Sequence, residues 1–370
     1  MTGGLSARLP EFPWDRLAPY AEKTAAHPDG LVDLSVGAPI DSTPDVVQRA
    51  LAAATDAPKY PLTYGESAVR DAFSGWLSRR FDVQVDPAAV LPTIGSKELV
   101  ALLPTLLAYG PGDTVVVPAL SYPTYEVGAR LAGADVVATD SLSSLGPRRV
   151  SLIWVNSPAN PHGKVLPVEH LRKVVEWARE RGAIVASDEC YIEYGWEEQP
   201  VSILDERVCG GSFDGLLAVH SLSKRSNIAG YRAGFVCGDE TLVRELLEVR
   251  KNLGMIVPQP IQRAMIAALN DDAHVDEQRA RYGGRRSMLK EAFADAGWHV
   301  EEGAGSLYLW VRRGSDDCWA LVSTLADLGI LVAPGEFYGP AGSSHVRVAV
   351  TATDERVVAA AHRLRAMVSS

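Results

Sequence analysis

The segment from Ser221 to Ser226, Ser-Leu-Ser-Lys-Arg-Ser, sets Lys224 among three serines, with Arg225 and Arg232 close behind, between apolar runs at 216–219 and 235–237. A lysine that must shed its proton and attack a carbonyl needs such company, because a nearby cation and partial burial both favour the neutral amine. Other reactive groups also fall where apolar runs end. Gly95-Ser96-Lys97 offers free backbone N–H groups and the positive end of a helix dipole to an anion, although Ser96 serves equally well as a plain helix cap. Asp188 closes the run 183–189, where a buried carboxylate needs a donor or a cation, a structural ion pair being the simpler alternative. Asn156-Ser-Pro-Ala-Asn160-Pro-His162-Gly163 is rich in turn formers, and His162 reads there as a solvated turn residue.

These groups need elements to hold them. Apolar runs at 90–94, 114–120, 135–139, 150–156, 183–189, 216–221 and 233–238 lack a strict alternation, as expected of strands buried on both faces of a largely parallel sheet. Helical patterns lie between several of them. The run 97–110 contains Pro104, which predicts a kink, and the run 167–182 begins with proline and stops at Gly182. The expectation is an α/β fold with a mostly parallel, seven-stranded sheet, whose ligands sit at the carboxyl ends of the strands. Beyond Gly238 the pattern changes to helices over 240–252, 257–269 and 274–297. Three short strand-like runs follow (YLWV, GILVAPG, HVRVAV), and the chain closes on a helical run reaching Ser370. That predicts a smaller α+β domain over 261–370, a large domain over 41–260, and an N-terminal segment, 1–40, packing with the smaller one.

Bulk properties limit the functions available. With 370 residues and 47% hydrophobic content, the chain can build a large core. A net charge of −10 with scattered positives argues against nucleic-acid binding. No apolar stretch reaches the roughly 18 residues that a membrane helix needs, and the N-terminus lacks an apolar leader, so a cytoplasmic address is expected. Cys190, Cys209, Cys237 and Cys318 show no metal-ligand spacing and read as reduced thiols, with no zinc site. No G-x-G-x-x-G follows a strand and opens a helix, which disfavours a nicotinamide dehydrogenase.

One ligand would use all the polar groups at once: a phosphate for Ser96, Ser221, Ser223 and Arg232, an aldehyde for Lys224, a ring-nitrogen cation for Asp188, and a phenolic oxygen for Asn160 and Tyr191. Pyridoxal 5'-phosphate carries these four handles. From Gly37 to Val350 the chain resembles the fold-type I pyridoxal-phosphate enzymes, specifically the class I/II aminotransferases. The resemblance implies that Lys224 joins the cofactor aldehyde as an imine and later moves the proton, with Arg232 and Ser221 on the phosphate. It places Lys97, beside Ser96, with the cofactor-binding residues. It implies that Asp188 keeps the pyridine nitrogen protonated and that Tyr191 and Asn160 bind the ring oxygen. Tyr122 would stack on the ring, and Tyr60 would reach the phosphate of a neighbouring subunit in a homodimer. Arg347 would clamp the substrate α-carboxylate, with Gly37 and Asn160 beside it.

The segments GSKELVALLPTLL, SLSKRSN and KNLGMIVPQPIQ are similar to those of succinyldiaminopimelate aminotransferases of lysine biosynthesis, which implies N-succinyl-LL-2,6-diaminopimelate and the glutamate/2-oxoglutarate couple as substrates. Lys97 and Arg225 are candidate cations for the extra carboxylates, though surface roles serve them equally. Gly37-Ala-Pro departs from relatives that carry a larger or acidic residue after the glycine. An aminotransferase for aspartate, aromatic or several amino acids, and a carbon–sulfur lyase of the same fold, are the alternatives.

Overall fold

The computed structural model describes residues 4–367; residues 1–3 and 368–370, which the expected N-terminal segment and last helix include, lie outside the described residues. The chain begins with α1 (Ala18–Ala25), β1 (Val32–Asp33), α2 (Asp45–Ala53) and α3 (Ser67–Phe81). Strands and helices then alternate: β2 (Val90–Ile94), α4 (Ser96–Leu106), β3 (Thr114–Val117), α5 (Thr124–Ala132), β4 (Asp135–Ala138), β5 (Val150–Asn156), α6 (Val168–Arg181) and β6 (Ile184–Asp188). Next come α7 (Glu206–Cys209), β7 (Leu216–Ser221), α8 (Leu222–Arg225), β8 (Ala233–Gly238), α9 (Glu240–Leu253), α10 (Gln259–Leu269) and α11 (Ala273–Asp295). The last part holds β9 (His299–Val300), β10 (Tyr308–Arg312), α12 (Cys318–Asp327), β11 (Ile330–Leu331), β12 (Ala333–Pro334), β13 (Val346–Ala349) and α13 (Asp354–Ala366).

The seven-stranded sheet has the order β2-β8-β7-β6-β5-β3-β4, and only β8 runs antiparallel to its neighbours. Its strands are apolar throughout because alternate residues enter two different cores. On β5, Ile153 and Val155 join the side that packs on α3, α6 and α10, whereas Leu152 and Trp154 join the side of α4, α5 and α9. A third core gathers Val32, Leu34, Tyr282, Leu307, Leu321 and Val357 around the four-stranded sheet β12-β13-β10-β9.

Two proline-containing segments take defined forms. Pro104 lies inside α4, which continues through it to Leu106. Proline removes the hydrogen bond to the carbonyl four residues back, here that of Val100, and α5 passes so close at this point that a Cβ on Gly128 would lie 2.9 Å from the oxygens of Val100 and Ala101. The run GILVAPG splits in two. Ile330 and Leu331 pair in parallel with Val32 and Asp33, while Ala333 and Pro334 pair antiparallel with β13 at a sheet edge, where a proline costs no ladder bond.

Candidate active site

The carboxyl ends of β5, β6 and β7, the N-terminus of α4 and the start of β8 converge on a cavity of about 470 Å³. Gly37, Ser96, Lys97, Tyr122, Asn160, Asp188, Tyr191, Ser221, Ser223, Lys224, Arg232 and Arg347 all line it. Of the cofactor- and substrate-binding residues that the resemblance implies, Tyr60 stands apart, 97% exposed on the surface.

Lys224 sits in the single turn α8, which Ser221 caps by accepting the Ser223 N–H at 3.2 Å. Tyr194 fixes the turn by donating its hydroxyl to the Lys224 carbonyl at 2.7 Å. The amine Nζ donates to the Gly37 carbonyl. Burial pulls its pKa below the ordinary 10.5; the Tyr308 side chain opposes the shift, and the cations of Arg347 and Arg232 add to it. The amine is thereby biased toward the neutral, nucleophilic form.

Asp188, buried at the end of β6, accepts from the Tyr125 hydroxyl at 2.8 Å and from the Cys190 N–H at 3.1 Å. Both donors are neutral, and burial holds its pKa above the ordinary 3.8 despite them. A carboxylate in this position has room for a cationic partner and gains from one.

Facing it, the first turn of α4 presents Ser96 beside Arg232. A Cβ on Gly95 would overlap the Arg232 guanidinium, so glycine there, at φ +71°, lets the arginine lie against the helix entrance. Arg232 itself adopts the left-handed conformation (φ 57°, ψ 54°), a strained choice for a residue with a Cβ. Helix N–H groups, serine hydroxyls and an arginine fork together make an anion cup.

Arg347 is buried on β13. It donates to Asn160 Oδ1 at 2.9 Å and to the Ser35 carbonyl at 2.6 Å, over the rings of Tyr308 and Tyr338. Its buried Nε has no hydrogen-bond partner among the described residues, an orphan that an incoming carboxylate would satisfy. Asn160 is held in turn by Asn156, whose Oδ1 accepts the Asn160 N–H at 2.8 Å.

Two readings of the sequence are corrected here. Arg225 is no candidate for a substrate carboxylate, because it points away from the cavity and is buried against Glu193, Asp272 and the Ala268 carbonyl. His162 is not a solvated turn residue; it lines a separate, smaller cavity. Sequence reasoning missed Tyr125, Cys190, Tyr308, Phe12 and Trp14, which also line the site. Tyr125 follows an apolar run and so had a positional signal, but Tyr308 reaches the Tyr191 hydroxyl (2.7 Å) from a distant strand, and nothing local announces that contact.

A pyridoxal phosphate fits these residues: an anion cup, an uncompensated buried carboxylate, a neutral-biased lysine and a free arginine N–H edge surround one space. The fold and the site together define a fold-type I pyridoxal-phosphate enzyme. The model of the aminotransferase class I and II family matches residues 29–364, and the chain belongs to that family. Its cofactor is pyridoxal phosphate.

Several relatives match most of the chain. The 4-dedimethylamino-4-oxo-anhydrotetracycline transaminase OxyQ of Streptomyces rimosus is 61% identical, over 96% of this chain and 99% of the relative. A protein of Mycobacterium tuberculosis named "probable aminotransferase" is 58% identical, over 98% and 87%. An LL-diaminopimelate aminotransferase of Aquifex aeolicus is 33% identical, over 90% and 91%. Among solved structures, an aminotransferase of Neisseria meningitidis superposes with a TM-score of 0.90 at 32% identity, covering 99% of each chain. A probable N-succinyldiaminopimelate aminotransferase of Thermus thermophilus gives 0.87 at 26%, covering 96% and 100%.

Proposed function

We propose that this aminotransferase exchanges the amino group between N-succinyl-LL-2,6-diaminopimelate and the glutamate/2-oxoglutarate couple. The observation that carries the reading is the position of Lys97. It lies at the mouth of the cavity over the Phe12 ring (6.0 Å to the ring centre) and makes no ion pair among the described residues. With Lys224, Arg232 and Arg347 committed to the reaction, Lys97 is the lining cation left for a distal carboxylate such as the succinyl terminus.

In this reading Arg347 and Asn160 grip the α-carboxylate, and the planar fork turns the substrate's Cα–H toward Lys224. Lys224 Nζ, biased toward the neutral amine by burial, would take the proton from Cα and pass it to the neighbouring carbon, the relocation that moving an amino group requires. Asp188 would hold the ring nitrogen of the cofactor as a cation, while Ser96, Ser221, Ser223 and Arg232 would hold its phosphate. When bound, pyridoxal phosphate supplies the electron sink that makes the Cα proton acidic. Tyr191 and Asn160 would hold its ring oxygen, and Tyr122 would stack on the ring.

A second reading is favoured by the aromatic wall of Phe12, Trp14, Tyr122, Tyr125 and Tyr308. Such a wall suits a polycyclic ketone of the kind named for the Streptomyces relative. Incubation with glutamate and either the 6-oxo form of the succinylated substrate or an oxo-anhydrotetracycline, with products read by mass spectrometry, separates the two. Amine formed from the succinylated compound alone supports the first reading, and amine formed from the polycyclic ketone alone overturns it. Lys97→Met is expected to raise KM for the succinylated substrate about tenfold while leaving KM for glutamate unchanged.

A further inference from the structure

A second cavity, of about 90 Å³, lies on the face of the large sheet to which Ile153 and Val155 belong, at the carboxyl ends of β3 and β5 and under the first turns of α6. Its floor is aliphatic: Val116, Ile153, Val155 and Val174 are buried, and Leu142 and Leu166 close the sides. Its rim is polar, formed by Asp140, His162, Lys164 and His170. Nothing in the aminotransferase chemistry uses these groups.

The rim has a defined charge pattern. Asp140 and Lys164 are exposed at the mouth and supply one charge of each sign. Burial pulls both histidines toward the neutral form, with Lys164 assisting and Asp140 opposing, and His162 is pushed down to about 4. His162 Nδ1 accepts the Lys164 N–H at 3.2 Å, so in the neutral ring the proton sits on Nε2, which is then a donor. A hydrophobic floor with one anion, one cation and an imidazole donor at the mouth complements a zwitterion that carries an aliphatic tail. An apolar cavity of about 150 Å³ holds a benzene ring, so this one matches a branched side chain of about three or four carbons. We propose that this cavity binds a free aliphatic α-amino acid, its ammonium on Asp140, its carboxylate on Lys164 and His162, and its side chain between Leu142 and Val174.

The cavity also has a route to the active site. Asn156 lines both spaces. Its Nδ2 donates to the Asp188 carbonyl at 2.8 Å and its Oδ1 accepts from Asn160, so a residue that borders this cavity also braces Asp188 and Asn160 in the other.

The test is calorimetric titration of the cofactor-loaded enzyme with L-leucine, with glycine as the tail-less control. Leu142→Trp and Leu166→Phe fill the cavity from its sides and lie outside the catalytic cavity, so glutamate turnover is expected to be unchanged in both. The proposal predicts saturable leucine binding in the wild type that is lost in both filling variants and weakened in Asp140→Asn, with glycine silent. Leucine binding that persists in both filling variants places the amino acid in the active site and overturns the proposal, as does a wild type that shows no binding. Two filling variants at different positions keep the test standing if one fails to fold.

Discussion

Arg347 is the side chain on which a substrate carboxylate would act, and its buried, unpartnered Nε makes its removal costly twice over. Truncating one member of a buried, charge-assisted pair costs about 2–5 kcal/mol, so Arg347→Ala is expected to lower kcat/KM for glutamate roughly 10²- to 10³-fold, chiefly through KM. Steady-state kinetics check this. Glu189, next to Asp188, behaves differently. Its side chain accepts the Ile203 N–H at 2.7 Å and lies 3.5 Å from His220, both groups being fully buried. The contact resembles an ion pair, yet burial raises the Glu189 pKa from 4.5 to about 7 and drops that of His220 to about 3, so between those values both groups are mostly uncharged. A carboxyl whose folded pKa lies above its unfolded one exacts no penalty below pH 4.5. The penalty grows as pH rises through 7 and is complete above it. Relative to Glu189→Gln, the wild type should therefore lose stability between about pH 4.5 and 7, on the order of 2–4 kcal/mol. Urea denaturation of both proteins across that range is the measurement, and parallel curves would refute the assignment.

Among the elements, the entrance of α4 carries the clearest constraint. Gly95 combines a left-handed φ with a position that has no room for a Cβ beside Arg232. Gly95→Ala is expected to push the guanidinium out of the anion cup and weaken pyridoxal phosphate retention about tenfold or more, measured by equilibrium dialysis of the cofactor. The strands that lead into the site were legible from their composition, because double-sided burial demands unbroken apolar runs. The split of GILVAPG was not. Its two halves take different partners, β1 and β13, and a run of apolar residues carries no record of which neighbour each will meet.

For the whole molecule, the exposed pair Tyr60 (97%) and Leu62 (71%) is an unusual surface on one protomer. In the homodimer that the family resemblance implies, this surface would meet the second copy and Tyr60 would complete the partner's phosphate site. Leu62→Glu should then shift the protein toward monomer in sedimentation velocity and weaken cofactor retention at the same time. A variant that stays dimeric and holds its cofactor would rule out this surface. Taken alone, the sequence determined the α/β class and marked Lys224, Asp188, Asn160 and Arg232 as polar groups beside the ends of apolar runs, while Arg347 was expected only from the family resemblance; the structure brings all five to one cavity. Only the tertiary structure decided that Arg225, one residue from Lys224, faces Glu193 instead of the substrate, that Tyr125 and Tyr308 complete the site, and that His162 guards a second cavity. Those outcomes depend on which distant segments pack together, and contacts between residues as far apart as Tyr191 and Tyr308 come from the closing of the core and not from any pattern along the chain.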